Sequence, residues 1–223
     1  MFFDCLYITG SIGALFIYDR MFAQYHKRRW YLVHAFGNGV VVVFSIHGVI
    51  ASLGNPVHCM DSRVFPSSNA FIGPTSKLPM SMITALHIYH IFGFTVSAAD
   101  RLHHMAFVPI IALCGHVMDW GALRQFLAFF ICGLPGCIDY LQLCCLQSEE
   151  ARKRRKYITM MLNLSLRAPF LCIEATLHFV ALVHKTTTVH PVCNIMIAGL
   201  VLVNAMFYAY TSVRSYVLSD TPR

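Results

Sequence analysis

The feature that most constrains this chain is the distribution of its basic residues between long apolar runs. The 17 Lys and Arg residues fall almost entirely in alternate gaps between these runs. Cationic loops stay on the cytoplasmic side during membrane insertion, so this alternation is typical of a protein that crosses the membrane several times. A soluble domain has no physical reason to sort its charges in this way. The pattern predicts a polytopic membrane protein whose orientation follows from its loops.

The composition agrees with this interpretation. Hydrophobic residues make up 57% of the chain and charged residues only 12%, whereas ordinary soluble domains are roughly 25% charged. The apolar runs use almost the whole sequence, so residues 1–223 are predicted to form a single transmembrane domain. The net charge is +7, and the clusters of basic residues lie next to the predicted spans. This position favours anionic lipid head groups over nucleic acid as partners.

Seven apolar runs are predicted to be transmembrane helices, which makes the fold class an all-α helical bundle. Leu32–Leu53 and Leu78–Ala99 are each long enough to cross about 30 Å of hydrocarbon, and neither contains a charged residue. Met105–Met118 is short and crosses fully only if His103 and His104 enter the membrane with it. The predicted spans are Phe2–Tyr18, Leu32–Leu53, Leu78–Ala99, Met105–Met118, Gln125–Leu146, Tyr157–His184 and Val192–Tyr210.

The charge asymmetry supports this count. With the N-terminus on the non-cytoplasmic side, twelve basic residues lie in cytoplasmic gaps: Arg20, Lys27, Arg28, Arg29, Arg101, Arg152, Lys153, Arg154, Arg155, Lys156, Arg214 and Arg223. Four lie in the opposite gaps, namely Arg63, Lys77, Arg124 and Lys185, and Arg167 remains inside a helix. One helix more or fewer would destroy this asymmetry, so we expect seven spans and a cytoplasmic C-terminus.

The nine cysteines are predicted to be mainly small buried hydrophobic residues. They lack the CxxC pairs of a zinc site, and no metal site is predicted from them. Cys5, Cys59 and Cys193 would all lie on the non-cytoplasmic side, where one disulfide could join two of them. The sequence leaves open whether that disulfide forms.

One predicted helix carries a stripe of polar side chains. Asn163, Arg167, Glu174 and His178 are spaced by four, seven and four residues, which places them on one helical face. Ionisable side chains in hydrocarbon are costly, so such a stripe indicates either internal pairing between helices or contact with a substrate. Pro169 in the same helix frees a carbonyl group and is predicted to kink it.

Histidines form a second polar group. His87 and His90 share one face of the third predicted helix, and His103 and His104 lie at the cytoplasmic entrance to the fourth. Neutral imidazole can act as a general base or a metal ligand. A histidine near the membrane–water interface, however, often has no role beyond placing its polar ring in the water. The histidine boxes are too few for a di-iron desaturase. A bis-histidine haem would have to recruit from His34, His47, His90 and His116, and haem is the less favoured cofactor.

The fifth predicted helix contains the sequence Gly133-Leu134-Pro135-Gly136, which should bend or break it. Asp139 follows about one turn later. Its carboxylate is predicted either to bind a neighbouring helix or to belong to a functional site.

Three stretches combine these basic, aromatic, histidine and amide residues. They are Arg29-Trp30-Tyr31-Leu32-Val33-His34-Ala35, Asp100-Arg101-Leu102-His103-His104, and Lys156–Phe170 with Asn163 and Arg167. Each resembles a motif of the TLC-domain family, the membrane superfamily that includes ceramide synthases and translocating-chain-associating membrane proteins. The resemblance covers a core of about residues 29–210.

The resemblance implies a helical membrane fold in which His103 and His104 are the candidate catalytic residues. Two departures set this chain apart. Met-Ala-Phe-Val-Pro follows the histidine pair, where ceramide synthases continue with Thr and Asp, and Gly-Leu-Pro-Gly-Cys-Ile-Asp replaces the Glu-Ser-Thr-like segment of many members. The chain therefore resembles a divergent, non-synthase branch.

The leading hypothesis is a TLC-like integral membrane protein of the endoplasmic reticulum or another endomembrane, which binds or senses lipids and contributes to lipid homeostasis. It needs no cofactor, and a homo-oligomer is compatible with it. The candidate ligand-lining residues are His87, His90, Asp139, Asn163, Arg167, Glu174 and His178.

Three other classes remain open, so the sequence does not decide whether the protein is an enzyme. The first is N-acyl transfer of the ceramide synthase type, in which His103 or His104 takes the proton of the amine and Arg152–Lys156 attract the phosphates of acyl-CoA. Such a basic run also serves as a topology signal. The second is a transporter or channel lined by Arg167, Glu174, His178 and Asp139, and the third is a haem-binding electron-transfer protein.

Overall fold

The computed structural model describes residues 2–95, 110–146 and 148–220, and every regular element in these ranges is a helix. His103 and His104, the candidate catalytic residues, lie outside the described residues. The helices are α1 (Phe2–Met21), α2 (Arg29–Gly54), α3 (Leu78–Gly93), α4 (residues 110–117), α5 (Leu123–Cys145), α6 (Glu149–Val183) and α7 (Pro191–Asp220). A short 3₁₀ turn, Ala23–Tyr25, links α1 to α2.

Four of these helices, α2, α5, α6 and α7, are long and apolar enough to cross a membrane. Helices α1 and α3 comprise 20 and 16 residues, and only residues 110–117 of α4 are described. The chain is thus an all-helical protein with the composition of a membrane protein. The count of seven spans and the orientation of the termini stay predictions.

Three helix boundaries differ from the predicted ones by more than one helical turn. Helix α7 continues to Asp220, beyond the predicted end at Tyr210. Helix α3 ends at Gly93, before the predicted end at Ala99, because the backbone becomes extended at Phe94. Helix α6 begins eight residues before Tyr157, at Glu149. Ser148 explains this earlier start, since its hydroxyl oxygen accepts a hydrogen bond from the backbone N–H of Ala151 at 3.1 Å.

Two of the long helices contain a π-helical segment immediately before a proline. In α5 the segment is Phe129–Gly133, two residues before Pro135, and in α6 it is Asn163–Arg167, two residues before Pro169. Proline lacks an N–H group, and its ring clashes with the carbonyl group four residues earlier. A π turn accommodates both problems by inserting one extra residue. The disturbances predicted at both prolines therefore take the form of π turns.

The apolar core consists of two clusters. One joins α5, α6 and α7 and includes the stacked rings of Phe130 and Phe170, whose centroids are 4.1 Å apart. The other joins α1, α2 and α3 around Leu15, Val41 and Leu86. Helix α2 contacts α1, α3 and α5, so it connects the two halves of the bundle.

Helices α2 and α5 approach closely at Gly48 and Gln125. A Cβ atom on Gly48 would lie 2.3 Å from the Cβ of Gln125, so this crossing requires glycine. The amide oxygen of Gln125 accepts a hydrogen bond from the N–H of Gly48 at 2.9 Å. Its amide nitrogen donates to the carbonyl groups of Gly73 and Ser76, at 2.6 and 3.1 Å. This one side chain therefore anchors the α2–α3 loop to the bundle.

Helix α1 is fixed at both ends by buried carboxylates. Asp4 accepts from Lys77 and His116, at 3.0 and 3.3 Å. Asp19 forms a two-bond ion pair with Arg29 and accepts from the hydroxyl of Tyr89 at 2.5 Å. Each acidic side chain of this helix is thus paired where it is buried, which satisfies the requirement for a charge removed from water.

The α2–α3 loop is organised around Asp61. Its carboxylate accepts hydrogen bonds from the guanidinium group and the backbone N–H of Arg63, at 2.7 to 2.9 Å. These bonds from Arg63 hold the pKa of Asp61 well below its ordinary value, because they stabilise the ionised form. The predicted irregular loop is therefore held in a defined conformation by charge-assisted bonds.

All nine cysteines are described, and each is a free thiol. The disulfide that the sequence allowed among Cys5, Cys59 and Cys193 is therefore not formed. Cys59 is fully buried, and burial raises the pKa of its thiol to about 12. Its carbonyl oxygen lies 2.4 Å from the position of a Cβ on Gly121. Gly121 has a φ of +53°, so both its conformation and its surroundings require glycine.

Arg124 is buried at the start of α5. The sequence placed it in a non-cytoplasmic gap, but it lies in the first turn of α5 and is only 2% exposed. Its guanidinium group donates to the carbonyl oxygen of Met118 at 2.9 Å. The helix thus begins at Leu123, two residues before the predicted start at Gln125, and the side of the membrane on which Arg124 lies stays a prediction.

Candidate functional site

A cavity of about 250 Å³ lies among six helices, α2 to α7. One part of its wall is polar, and another part is apolar. The lining residues are His34, Asn38, Met80, Ile83, His87, Ile111, Ala112, Ile131, Cys132, Gly136, Asp139, Tyr140, Leu143, Arg167, Asn204 and Tyr208. Pockets of this mixed character, between the helices of a bundle, are typical binding sites for small molecules.

Arg167 is the basic residue of the polar wall. Its Nη1 donates to Oδ1 of Asn163 at 2.8 Å, and its guanidinium carbon lies 4.5 Å from the ring centroid of Tyr208. The amide nitrogen of Asn163 donates in turn to the carbonyl oxygen of Thr159 at 2.8 Å. Asn163 and Arg167 are the first and last residues of the π segment of α6. This segment therefore sets the orientation of the guanidinium group.

Asp139 of α5 connects the cavity to a second pocket. Its carboxylate accepts a hydrogen bond from the hydroxyl group of Thr159. Asp139 and Leu143 also line an adjoining pocket of about 240 Å³, to which Arg155 and Lys156 of α6 contribute. The central cavity thus adjoins the basic run of the chain through a single acidic side chain.

Two imidazoles face the cavity, from α3 and α2. Nδ1 of His87 lies 2.7 Å from the carbonyl oxygen of Ile83. A carbonyl group only accepts, so Nδ1 carries a proton and Nε2 holds the lone pair in the neutral ring. The ring of His34 stacks on Tyr140, with centroids 4.4 Å apart. The donor nitrogen of His87 therefore faces the backbone of its own helix.

His90 lies behind this wall and is buried. The ring of Trp30 packs against both His34 and His90, with centroid distances of 3.6 and 3.5 Å. The two imidazole rings are 5.7 Å apart. His90 therefore belongs to an aromatic cluster that supports the cavity wall.

Glu174 and His178 form a separate cluster that joins α6 to α7. Nε2 of His178 lies 3.0 Å from a carboxylate oxygen of Glu174, and Nδ1 lies 2.7 Å from Oδ1 of Asn194. The amide nitrogen of Asn194 donates to Val189, which fixes its oxygen as the acceptor for Nδ1. One proton thus lies in the hydrogen bond between His178 and Glu174. The pair has no net charge, both when this proton is on the ring nitrogen and when it is on the carboxylate.

The predicted polar stripe of α6 therefore has two parts. Glu174 pairs with His178 rather than with Arg167, and neither member of this pair lines the cavity. Seven residues of helix separate Arg167 from Glu174 by about 10 Å along the axis, which keeps the two groups at different depths. A single path lined by all the predicted ionisable residues is not formed.

Of the predicted lining residues, His87, Asp139 and Arg167 border the cavity. Asn38 and Asn204 also line the cavity, although they were not among the predicted residues. The signal was available, because each is an uncharged amide inside an otherwise apolar run. An amide in such a position must find a partner or a ligand.

Among the described residues, no three His, Cys, Asp or Glu side chains are grouped so that they could hold a metal ion. No protein-family model, curated protein or solved structure matches the chain. Its function is therefore inferred from its own residues.

Proposed function

We propose that this chain is a TLC-like integral membrane protein that binds lipid in its central cavity and contributes to membrane lipid homeostasis. The observation that carries the proposal is the mixed wall of the cavity. Arg167, Asp139 and His87 supply polar groups, while Ile83 and Ile131 belong to its apolar part. A lipid has the same division between head group and chain, and a bundle that lies in a bilayer meets lipids at the highest concentration.

The proposal includes seven spans, with the N-terminus on the non-cytoplasmic side and the C-terminus in the cytoplasm, in the endoplasmic reticulum or another endomembrane. The uneven distribution of Lys and Arg supports this orientation. The paired carboxylates of Asp4 and Asp19 support α1 as a span, because they lie at its two ends. Epitope tags at the two termini should show opposite accessibility in sealed microsomes, and tags on the same side would contradict the topology.

Lipid binding is tested by purifying the protein in a neutral detergent and identifying co-purified lipids by mass spectrometry. We expect a lipid class enriched over its share of the source membrane. Cells that lack the protein should change their content of that class. Co-purified lipid in membrane proportions, together with an unchanged lipidome, would contradict the proposal.

The second candidate is N-acyl transfer from acyl-CoA. It is favoured by the pocket lined by Arg155 and Lys156, which adjoins the cavity at Asp139. The phosphates of CoA would bind the basic side chains, and the acyl chain would extend toward the cavity. A histidine would take the proton of the attacking amine, and the sequence proposes His103 or His104 for this role.

This candidate predicts that the purified protein transfers a labelled acyl group from acyl-CoA to a long-chain amine, and that His104→Ala does not. Equal product formation by the two proteins would remove the assigned role of His104. No product with either protein would leave lipid binding as the function.

A further inference from the structure

The cavity wall contains three polar atoms without a hydrogen-bond partner among the described residues. They are Nε of Arg167, Nδ2 of Asn38 and Oδ1 of Asn204. These residues are 6%, 0% and 5% exposed, and they come from three different helices. Buried polar atoms are nearly always paired in folded proteins, so three unpaired atoms around one cavity indicate a polar ligand.

The charge of Arg167 identifies the sign of that ligand. Its guanidinium group bonds the neutral amide of Asn163 and lies over the ring of Tyr208, while Asp139, on the same cavity, interacts with it only through space. Within the described parts of the chain, no carboxylate lies within ion-pair distance of its guanidinium group. A buried cation without a directly paired anion is costly, and a bound anion would remove this cost.

The orientation of the guanidinium group identifies the shape of the ligand. Nη1 is occupied by Asn163, so the side that carries the unpartnered Nε is available. That side presents two parallel N–H groups, from Nε and Nη2, in the spacing of two oxygens of a carboxylate or phosphate. We propose that Arg167 and the amide nitrogen of Asn38 donate to an oxyanion head group, so that the cavity takes a single-chain anionic amphiphile. The unpartnered oxygen of Asn204 only accepts, so it serves a hydroxyl group of the ligand or a water molecule rather than the oxyanion.

The remaining wall fits the chain of such a molecule. Met80 and Ile83 of α3, Ile111 of α4 and Ile131 of α5 are apolar lining residues. A volume of about 250 Å³ has room for a head group and part of its chain, since about 10–15 Å³ of such cavity volume holds one water molecule. The rest of the chain must leave between the helices.

The adjoining pocket provides an approach for the anion. Arg155 and Lys156 line it and attract negative charge. Asp139 lies at the junction and repels an anion there, so the head group is expected beyond it, at Arg167. The hydroxyl group of Thr159 donates a hydrogen bond to the carboxylate of Asp139 at this junction.

The inference rests on the proposed lipid-binding function and specifies its ligand. It is tested with the chain of residues 1–223 in phosphatidylcholine nanodiscs by direct binding of four probes. Oleate carries a carboxylate, lysophosphatidate a phosphate, and oleyl alcohol no charge, and inorganic phosphate lacks a chain. We expect oleate or lysophosphatidate to bind at least tenfold more tightly than oleyl alcohol, and the better of the two identifies the head group. Inorganic phosphate should bind at least tenfold more weakly than that amphiphile.

Arg167→Gln should weaken binding of the preferred anion at least tenfold and leave oleyl alcohol unchanged. Arg124→Gln is the matched control, because Arg124 is also a buried arginine with unpartnered nitrogen atoms but does not line the cavity. It should bind the anion as the wild type does. Equal weakening in both variants would contradict a specific role for Arg167.

A second variant tests anion binding if Arg167→Gln does not fold. Asn204 lies one turn before Tyr208 on α7, so Asn204→Asp places a carboxylate on the face that contacts Arg167. It should exclude the anion without lowering the melting temperature. Unchanged anion binding in Asn204→Asp would overturn the inference. If the wild type binds oleyl alcohol as tightly as the anions, the inference fails and lipid binding stands, and if it binds no amphiphile, both fail.

Discussion

The guanidinium group of Arg167 lies over the ring of Tyr208, with its central carbon 4.5 Å from the ring centroid. This contact joins α6 to α7 at the cavity wall. A buried cation on an aromatic face is stabilised by the ring quadrupole, by about 2 kcal/mol when water is excluded. The ring therefore offsets part of the cost of the buried charge without occupying the side of Arg167 that faces an anion.

The aromatic ring of Tyr208 should stabilise the buried charge of Arg167. We expect Tyr208→Leu to lower stability by about 1–2 kcal/mol and Tyr208→Phe, which keeps the ring, to lose less stability than Tyr208→Leu. Tyr210→Leu is the matched control, because Tyr210 is 65% exposed in the same helix. Thermal unfolding in detergent measures the three, and similar losses in Tyr208→Leu and Tyr210→Leu would contradict the contact.

The crossing of α2 and α5 should not tolerate a side chain at Gly48. A Cβ there meets Gln125 at 2.3 Å, so we expect Gly48→Ala to destabilise the fold by about 1–3 kcal/mol. Gly39→Ala in the same helix is the control, since its nearest neighbour would be the sulfur of Cys137 at an ordinary 3.7 Å. The comparison uses unfolding midpoints, and equal midpoints in both variants would mean that the helices do not cross as described.

The pair of Glu174 and His178 is predicted to stabilise the bundle without taking part in ligand binding. Glu174→Ala removes the partner of Nε2 of His178, and we expect it to cost about 3 kcal/mol. Glu174→Gln keeps a hydrogen-bonding group in the same volume and should cost less, about 1 kcal/mol. Both should bind the cavity ligand with wild-type affinity once folded. A change in affinity in Glu174→Gln at full folding would reopen the transport hypothesis.

The loop bonds around Asp61 predict a dependence on pH. The hydrogen bonds from Arg63 lower the pKa of Asp61 in the folded protein, below an unfolded value of about 3.9. Their stabilisation is therefore complete above the unfolded pKa and is lost as the pH falls through the folded one. At pH 7, hydrogen exchange of the Arg63 amide, which donates to the carboxylate of Asp61, should be faster in Asp61→Asn than in the wild type.

That difference should narrow when wild type and variant are compared at progressively lower pH, starting below about pH 4. The amide of Ala151 at the N-terminus of α6 is the internal control, because Ser148 rather than Asp61 bonds it. A difference that grows on acidification would show that the sign of the linkage is opposite to the one described.

The positions of the helices and the two proline disturbances were predictable because both depend on neighbours in the sequence. The length of an apolar run can be counted in the sequence, and Pro135 and Pro169 each remove one backbone hydrogen-bond donor from their own helix. The early end of α3 at Gly93 was harder to predict from the sequence. Apolar residues continue beyond it, and only the extended backbone of Phe94 marks the change.

The candidate site was predictable only in part. The helical period placed Arg167 and Glu174 on one face, but it carries no information about what each face meets. Arg167 meets Tyr208 of α7 and an open cavity, while Glu174 meets His178 one turn away. Asn38 and Asn204 became part of the site only because their helices converge on the same volume.

The sequence by itself determined the class of the protein. The length of the apolar runs and the charge of the loops depend on residues that are close in the sequence, and not on contacts between helices. The sequence also indicated that α5 and α6 are disturbed near Pro135 and Pro169, and the structure showed that each disturbance is a π turn. The tertiary structure decided which buried polar groups are paired and which are left unpartnered around a cavity. That outcome depends on the rotation and depth of each helix against its neighbours, which are set by packing between residues far apart in the chain.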